Sequence, residues 1–246
     1  MRKMGLRLVA LVLLLAGPNL VYAGEPGLTI SPRVWSQYLG STGAVVKTPV
    51  LQTDFFIQLP RGFYGDVWHS VGLDGSGPSS GFDDEVDYTL GWSGPIGALT
   101  FDLGAAYFDL VNLGTIRGDV IQPYFETRYD FRLTEAHTLS PYLRLELAYP
   151  VKGDTPNAGV HLFGGAQHNW KIAPAFAVAQ RAALLYDDGA YGLDNGLLVQ
   201  YGGDLQWTPT AALTLNLFSL KISVPLTVDD ARKSEAVFGV GLTFRY

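Results

Sequence analysis

Between residues 119 and 133 the chain places Ile121, Phe125, Tyr129 and Phe131 on one parity and Gln122, Glu126, Arg128, Asp130 and Arg132 on the other. Strand side chains point alternately to the two faces, so this spacing predicts a strand with one apolar and one charged face. The pattern recurs. Val86, Tyr88, Leu90 and Trp92 oppose Glu85 and Asp87; Leu143, Leu145 and Leu147 oppose Arg144 and Glu146; Leu197, Val199, Tyr201, Leu205 and Trp207 oppose Gln200, Asp204 and Gln206. Segments of this kind, about ten residues long, match the length that a tilted strand needs to cross a bilayer. We place strands near 27 to 39, 50 to 59, 63 to 72, 83 to 93, 98 to 110, 119 to 133, 139 to 149, 159 to 170, 175 to 186, 195 to 207, 212 to 224 and 236 to 246. Around residue 218 the apolar parity changes from Leu213, Leu215 and Leu217 to Leu220, Ile222 and Val224, which predicts a bulge near Phe218 and Ser219.

The connections alternate in length. Short turns fall at Pro60 to Gly62, Ser93 to Gly97, Thr134 to Thr138, Lys171 to Pro174 and Pro209 to Ala211. Longer polar loops fall at Gly40 to Pro49, Asp74 to Phe82, Asn112 to Gly118, Pro150 to Ala158, Asp187 to Asp194 and Thr227 to Ser234. A soluble sandwich has no reason to sort its loops in this way, whereas a membrane barrel has one rim of each kind. The expected fold is therefore all-β: a transmembrane antiparallel up-and-down barrel of about 12 strands, both termini on the short-turn, periplasmic side. The loop from Asp74 to Phe82 is long enough to fold inward.

Both ends of the chain agree with this. Phe238, Val240, Leu242, Phe244 and Tyr246 form an aromatic and apolar stripe that ends on the last residue. That segment resembles the C-terminal signal through which the outer-membrane assembly machinery recognises barrels, so residues 236 to 246 are expected to engage it. At the other end, Arg2, Lys3 and Arg7 precede the apolar run Leu8 to Ala16, and Val21-Tyr22-Ala23 fits a cleavage site. Residues 1–23 read as a secretory signal and 24–246 as the barrel domain. Export to the bacterial outer membrane follows, with lipid and lipopolysaccharide as surroundings.

The charge excludes some partners. Three of the 17 basic residues lie in the leader, which leaves 14 against 23 acidic ones, and phosphate recognition needs a basic surface, so no nucleic-acid partner is expected. There is no cysteine, hence no disulfide and no thiolate chemistry.

Gly62-Phe63-Tyr64-Gly65-Asp66-Val67-Trp68, the acidic strand from Phe82 to Trp92, and Asp102-Leu103-Gly104-Ala105-Ala106-Tyr107-Phe108 together resemble the TorF family of Gram-negative outer-membrane porins. The likeness is concentrated in residues 49 to 110. The opening strand, Ile30 to Trp35, departs from the family's aromatic and arginine-rich start, and Tyr107 is followed by Phe108-Asp109 and not by a second Tyr motif. The resemblance implies a porin-like barrel and no particular activity.

His69 and Ser70 are adjacent and so face opposite sides of a strand, which prevents a nucleophile and base pair. His161 and His168 are the other candidates; the H-x-S spacing of barrel lipid hydrolases is absent, and His168 shares a parity with Trp170 as an interface residue would. Asp83, Asp84, Glu85 and Asp87 do not supply the six to eight converging oxygens of a calcium site. We expect no enzyme, metal or cofactor. The function that fits is passive passage of small polar solutes or ions, through a lumen lined by Glu85, Asp87 and Asp102, by Glu126, Arg128, Asp130 and Arg132, and by Arg144, Glu146 and Arg181. The alternatives are a non-conducting structural or adhesion barrel whose mixed charges pair and close the pore, and a barrel lipid hydrolase.

Overall fold

The computed structural model describes residues 26–43, 45–74, 85–110, 119–152, 157–228 and 230–246. The leader, Asp83, Asp84, and the loops from Asp74 to Phe82 (beyond Asp74) and from Asn112 to Gly118 lie outside them. Twelve strands span the structure: β1 (Gly27–Trp35), β2 (Val50–Gln58), β3 (Phe63–Gly72), β4 (Glu85–Ile96), β5 (Leu99–Leu110), β6 (Asp119–Tyr129), β7 (His137–Lys152), β8 (Gly159–Ala173), β9 (Phe176–Asp188), β10 (Asn195–Thr210), β11 (Leu213–Pro225) and β12 (Glu235–Arg245). Each pairs antiparallel with its neighbour in sequence, and β12 returns to β1 with Thr29 opposite Arg245 and Val34 opposite Val240. The ladder is therefore closed. Tyr246 donates from its amide to the Leu28 carbonyl at 2.9 Å and accepts from the Leu28 amide at 3.2 Å, so the pairing runs to the last residue.

Turn chemistry explains the short rim. β4 and β5 are joined by Gly97 and Ala98, with Gly97 at φ 65°. The corner Pro60–Gly62 puts Gly62 at φ 84°, and a Cβ there would lie 2.3 Å from the Ser93 carbonyl oxygen, so only glycine fits. Gly27 and Tyr246 both lie on this rim, since β1 leaves it and β12 returns to it.

The distribution of side chains is the reverse of a soluble protein's. Leu90 (73 % exposed), Leu143 (58 %) and Val240 (55 %) project outward, while Ser70, His161, Asn216 and Glu126 are buried inside. The expected bulge is present: the register of β11 slips between Asn216 and Ser219, and Leu217 and Phe218 both face out. One extra residue there restores the polar parity inward for Ser219, Lys221 and Ser223. The first strand is shorter than expected. It stops at Trp35, and from Ser36 the chain bends into the barrel, where Tyr38–Leu39 pairs with Val45–Val46.

Leu143→Arg sets a charge on the outer face where the sheet meets hydrocarbon. The expected loss is about 2 to 4 kcal/mol of stability in lipid vesicles, checked by denaturant unfolding against Leu143→Ala.

Candidate functional site in the barrel lumen

Alternation fixes which charges enter the lumen; the cross-barrel distances fix what they do there. On the inner face of β6 and β7, Arg144 bonds Glu146 at 2.6 Å and lies 3.6 Å from Glu126, which also meets Arg181 of β9 at 3.3 Å. The two guanidiniums sit on aromatic rings, Arg144 over Tyr124 at 4.2 Å and Arg181 over Tyr142 at 4.0 Å, and Arg181 donates to the Tyr142 hydroxyl at 2.7 Å. Across the seam, Arg33 of β1 bonds Asp204 of β10 at 2.9 Å. Lys221 of β11 lies over the Trp35 ring at 4.4 Å.

The inner face of β2 to β5 is different. It carries Asp54, Asp66, Glu85, Asp87 and Asp102. Glu85 accepts from the Tyr38 hydroxyl and Asp102 from the Tyr64 hydroxyl, each at 2.7 Å, and Tyr64 also bonds Tyr124. Asp54, Asp66 and Asp87 each keep one buried carboxylate oxygen with no hydrogen-bond partner.

Of the charges singled out in the sequence, Glu85, Asp87, Asp102, Glu126, Arg144, Glu146 and Arg181 project into this interior. Arg128 pairs with Asp130 at 3.3 Å near the short rim. Asp130 follows the last residue of β6, and Arg132 is exposed in the short ladder Phe131–Arg132, so both stand on the rim. Asp54, Asp66, Arg33 and Lys221 join the interior without having been singled out. Their strand parity alone would have found them.

The long-loop end is narrowed by chain folded inward. Tyr38 and Leu39 are buried and pack with Trp35, Val50 and Val237. The cluster holds the first loop inside the barrel, at about 1.5 to 3 kcal/mol for each large side chain withdrawn from water. Two cavities, of about 600 Å³ and 450 Å³, share Leu39 to Ser41, Arg144, Glu146 and Lys221 as walls. These residues partition the lumen. A third void of about 220 Å³ continues from the second along Arg181, Gly202 and Lys221. The inward loop is thus Ser36 to Pro49, and the Asp74 to Phe82 loop lies largely outside the described residues.

Arg232 fastens this end. Its guanidinium chelates Asp230 at 2.9 and 2.7 Å, bonds Asp187 at the end of β9 at 2.6 Å, and donates to the carbonyls of Asp194 (2.6 Å) and Thr42 (3.2 Å). One side chain so ties three loops together. Those hydrogen bonds hold the Asp230 carboxyl below the usual carboxylate range. Burial pulls the Arg232 guanidinium down, yet its bonds to Asp230 and Asp187 hold it above its ordinary value. His161 lies fully buried 3.4 Å from Glu146 and 3.5 Å from Asp187, under the ring of Tyr191. Ser70 points inward to Gln52 while His69 shares the outer parity of Val67. On the outer surface His137 and His168 approach at 3.1 Å beside Trp170. Among the described residues no cluster of three or more His, Cys, Asp or Glu is placed to hold a metal ion.

Solved structures share this architecture. The NanC porin superposes with a TM-score of 0.58 at 12 % identity, over 87 % of this chain and 98 % of that one. The KdgM porin gives 0.56 at 10 % identity, over 88 % and 98 %. A bacterial polysaccharide outer membrane secretin gives 0.53 at 7 %, over 90 % and 98 %. At these identities the likeness is one of fold: a closed twelve-stranded antiparallel barrel of the outer-membrane type. No family model matches the chain, and no curated protein matches it.

Arg232→Ala removes the tie and should expose the segment 226–234 to protease in the detergent-solubilised protein. A group whose folded pKa is depressed stabilises above its unfolded pKa and loses that contribution as pH falls through the folded value. The wild-type protein is accordingly expected to resist cleavage at neutral pH and to approach the variant's rate only below about pH 4.

Proposed function

We propose that this chain is an outer-membrane pore for passive diffusion of small polar solutes or ions. The observation that carries the reading is the train of voids, walled in part by charged side chains such as Asp66, Asp102, Arg144 and Arg181, inside a closed barrel whose outer surface is apolar. Passage needs no catalyst, only a wet path whose selectivity is set by the charges along it. In this reading residues 1–23 direct export and are removed, the termini and short turns face the periplasm, and strand β12 with Tyr246 engages the assembly machinery. The outer belt then contacts lipid and lipopolysaccharide. Membership of the TorF porins belongs to the same proposal and is supported by the residues between 49 and 110.

The partition favours a second reading. Leu39 and the Arg144–Glu146 pair stand between the two larger voids, and if they close the path the barrel displays its loops without conducting.

Current through the purified protein in a planar bilayer separates the two. Stable steps above the blank membrane are expected, and a flat trace would leave the closed barrel. Tyr38→Ala with Leu39→Ala loosens the inward loop and should enlarge the step; an unchanged step would place the constriction elsewhere.

A further inference from the structure

One wall of the lumen carries inward acidic side chains and no basic ones, whereas the other strands carry both signs and pair them. No Lys or Arg occurs between Arg61 and Arg117. Strands β3, β4 and β5 lie wholly within that stretch, and β2 also has none. Their inward carboxylates therefore have no basic neighbour on their own wall. Glu85 and Asp87 stand toward the long-loop rim, Asp54 and Asp66 lie lower on β2 and β3, and Asp102 is near the short rim, so the acidic groups follow the whole height of the barrel. None of the five has an ion-pair partner among the described residues. Asp54, Asp66 and Asp87 moreover each have one buried oxygen that no protein donor reaches.

The opposite wall spends its positive charge internally. Arg144 and Arg181 are matched by Glu126 and Glu146, and Arg33 by Asp204. Lys221, against the Trp35 ring, and Arg245, bonded to the Thr214 hydroxyl at 2.9 Å, have no carboxylate at ion-pair distance among the described residues. The acidic side chains on β2 to β5 therefore outnumber the inward basic groups left without a carboxylate, Lys221 and Arg245. A carboxylate oxygen inside a low-dielectric wall, with no protein donor, is stabilised by a mobile cation in the lumen, and a row of such groups raises the local cation concentration.

We infer that the pore selects cations over anions, and that Asp54, Asp66, Asp87 and Asp102 on the inner wall of β2 to β5 determine the preference. The inference rests on the proposed pore. No bound cation is required, because the carboxylates are spread along the path and do not form a coordination shell.

The test is the zero-current potential of the full-length mature protein in a planar bilayer under a KCl gradient. The wild-type protein should shift toward the potassium equilibrium potential, with K⁺ favoured over Cl⁻ by about threefold or more. Asp66→Asn with Asp87→Asn should bring the permeability ratio toward unity while stable current steps persist. These changes keep side-chain shape, so folding is retained; heat-modifiable gel mobility checks it. The single variant Asp54→Asn gives an independent, smaller shift in the same direction. Steps with no preference or with a preference for Cl⁻ overturn the inference and leave the pore standing. So does a ratio unmoved by all three substitutions. Absence of current overturns the pore itself and the selectivity with it.

Discussion

Hydrocarbon offers no partner to a peptide group, so a membrane sheet has to satisfy every amide and carbonyl within itself and cannot have an edge. In this chain that requirement converges on one seam. β12 meets β1 from Thr29 and Arg245 to Trp35 and Gly239. The inner face of the seam is made by Gly239 and Gly241, where an added Cβ would come within 2.7 Å of the Trp35 ring and 3.0 Å of the Arg33 side chain. The glycines clear space for these two large groups to lie across the joint. Trp35 then supports Lys221 and Arg33 and forms the floor on which Tyr38 and Leu39 pack. Closure and lumen architecture are consequently the same set of contacts.

Strand number sets the next constraint. Eight strands enclose a bore that side chains fill, and sixteen or more leave an open channel. Twelve enclose an intermediate space, too wide for side chains of one wall to close and narrow enough for those of opposite walls to meet. The structure uses both remaining solutions. Arg33 to Asp204 and Arg181 to Glu126 reach between strands that are not neighbours in the sheet, and the first long loop enters from above. Stacking the arginines on Tyr124 and Tyr142 holds them along the wall, which preserves voids on either side of the partition.

Most of the fold was legible because a bilayer barrel imposes its period directly on the sequence. Parity assigns each side chain to lipid or lumen, and the slip at Leu217 and Phe218 shows as two adjacent apolar residues. Parity has an endpoint, however. The alternation of residues 119 to 133 continues through Asp130 and Arg132, although β6 ends at Tyr129, so the pattern could not tell a lumen charge from a rim charge. Loop direction was illegible for a different reason. Ser36 to Pro49 has the Gly, Ser and Thr content of any exposed loop, and its inward course depends on a hydrophobic contact with Val237, far away in sequence. Arg232 is similar: nothing local announces that its guanidinium will gather Asp187, Asp194 and Thr42.

The same distinction separates what a strand's own residues decide from what its neighbours decide. Which face Asp54, Asp66 and Asp87 occupy is local. Whether they are neutralised depends on the inward groups of the strands on either side, and β2 to β5 are consecutive in the chain as well as in the sheet. In an up-and-down barrel, sequence order is wall order. A stretch of sequence without basic residues therefore becomes a sector of the wall without them, and a compositional bias along the chain is converted into an electric field across the lumen. Neighbouring sectors with both signs, as in β6 and β7, cancel internally through pairs such as Arg144 and Glu146. Single-sign sectors have no such recourse within their own wall.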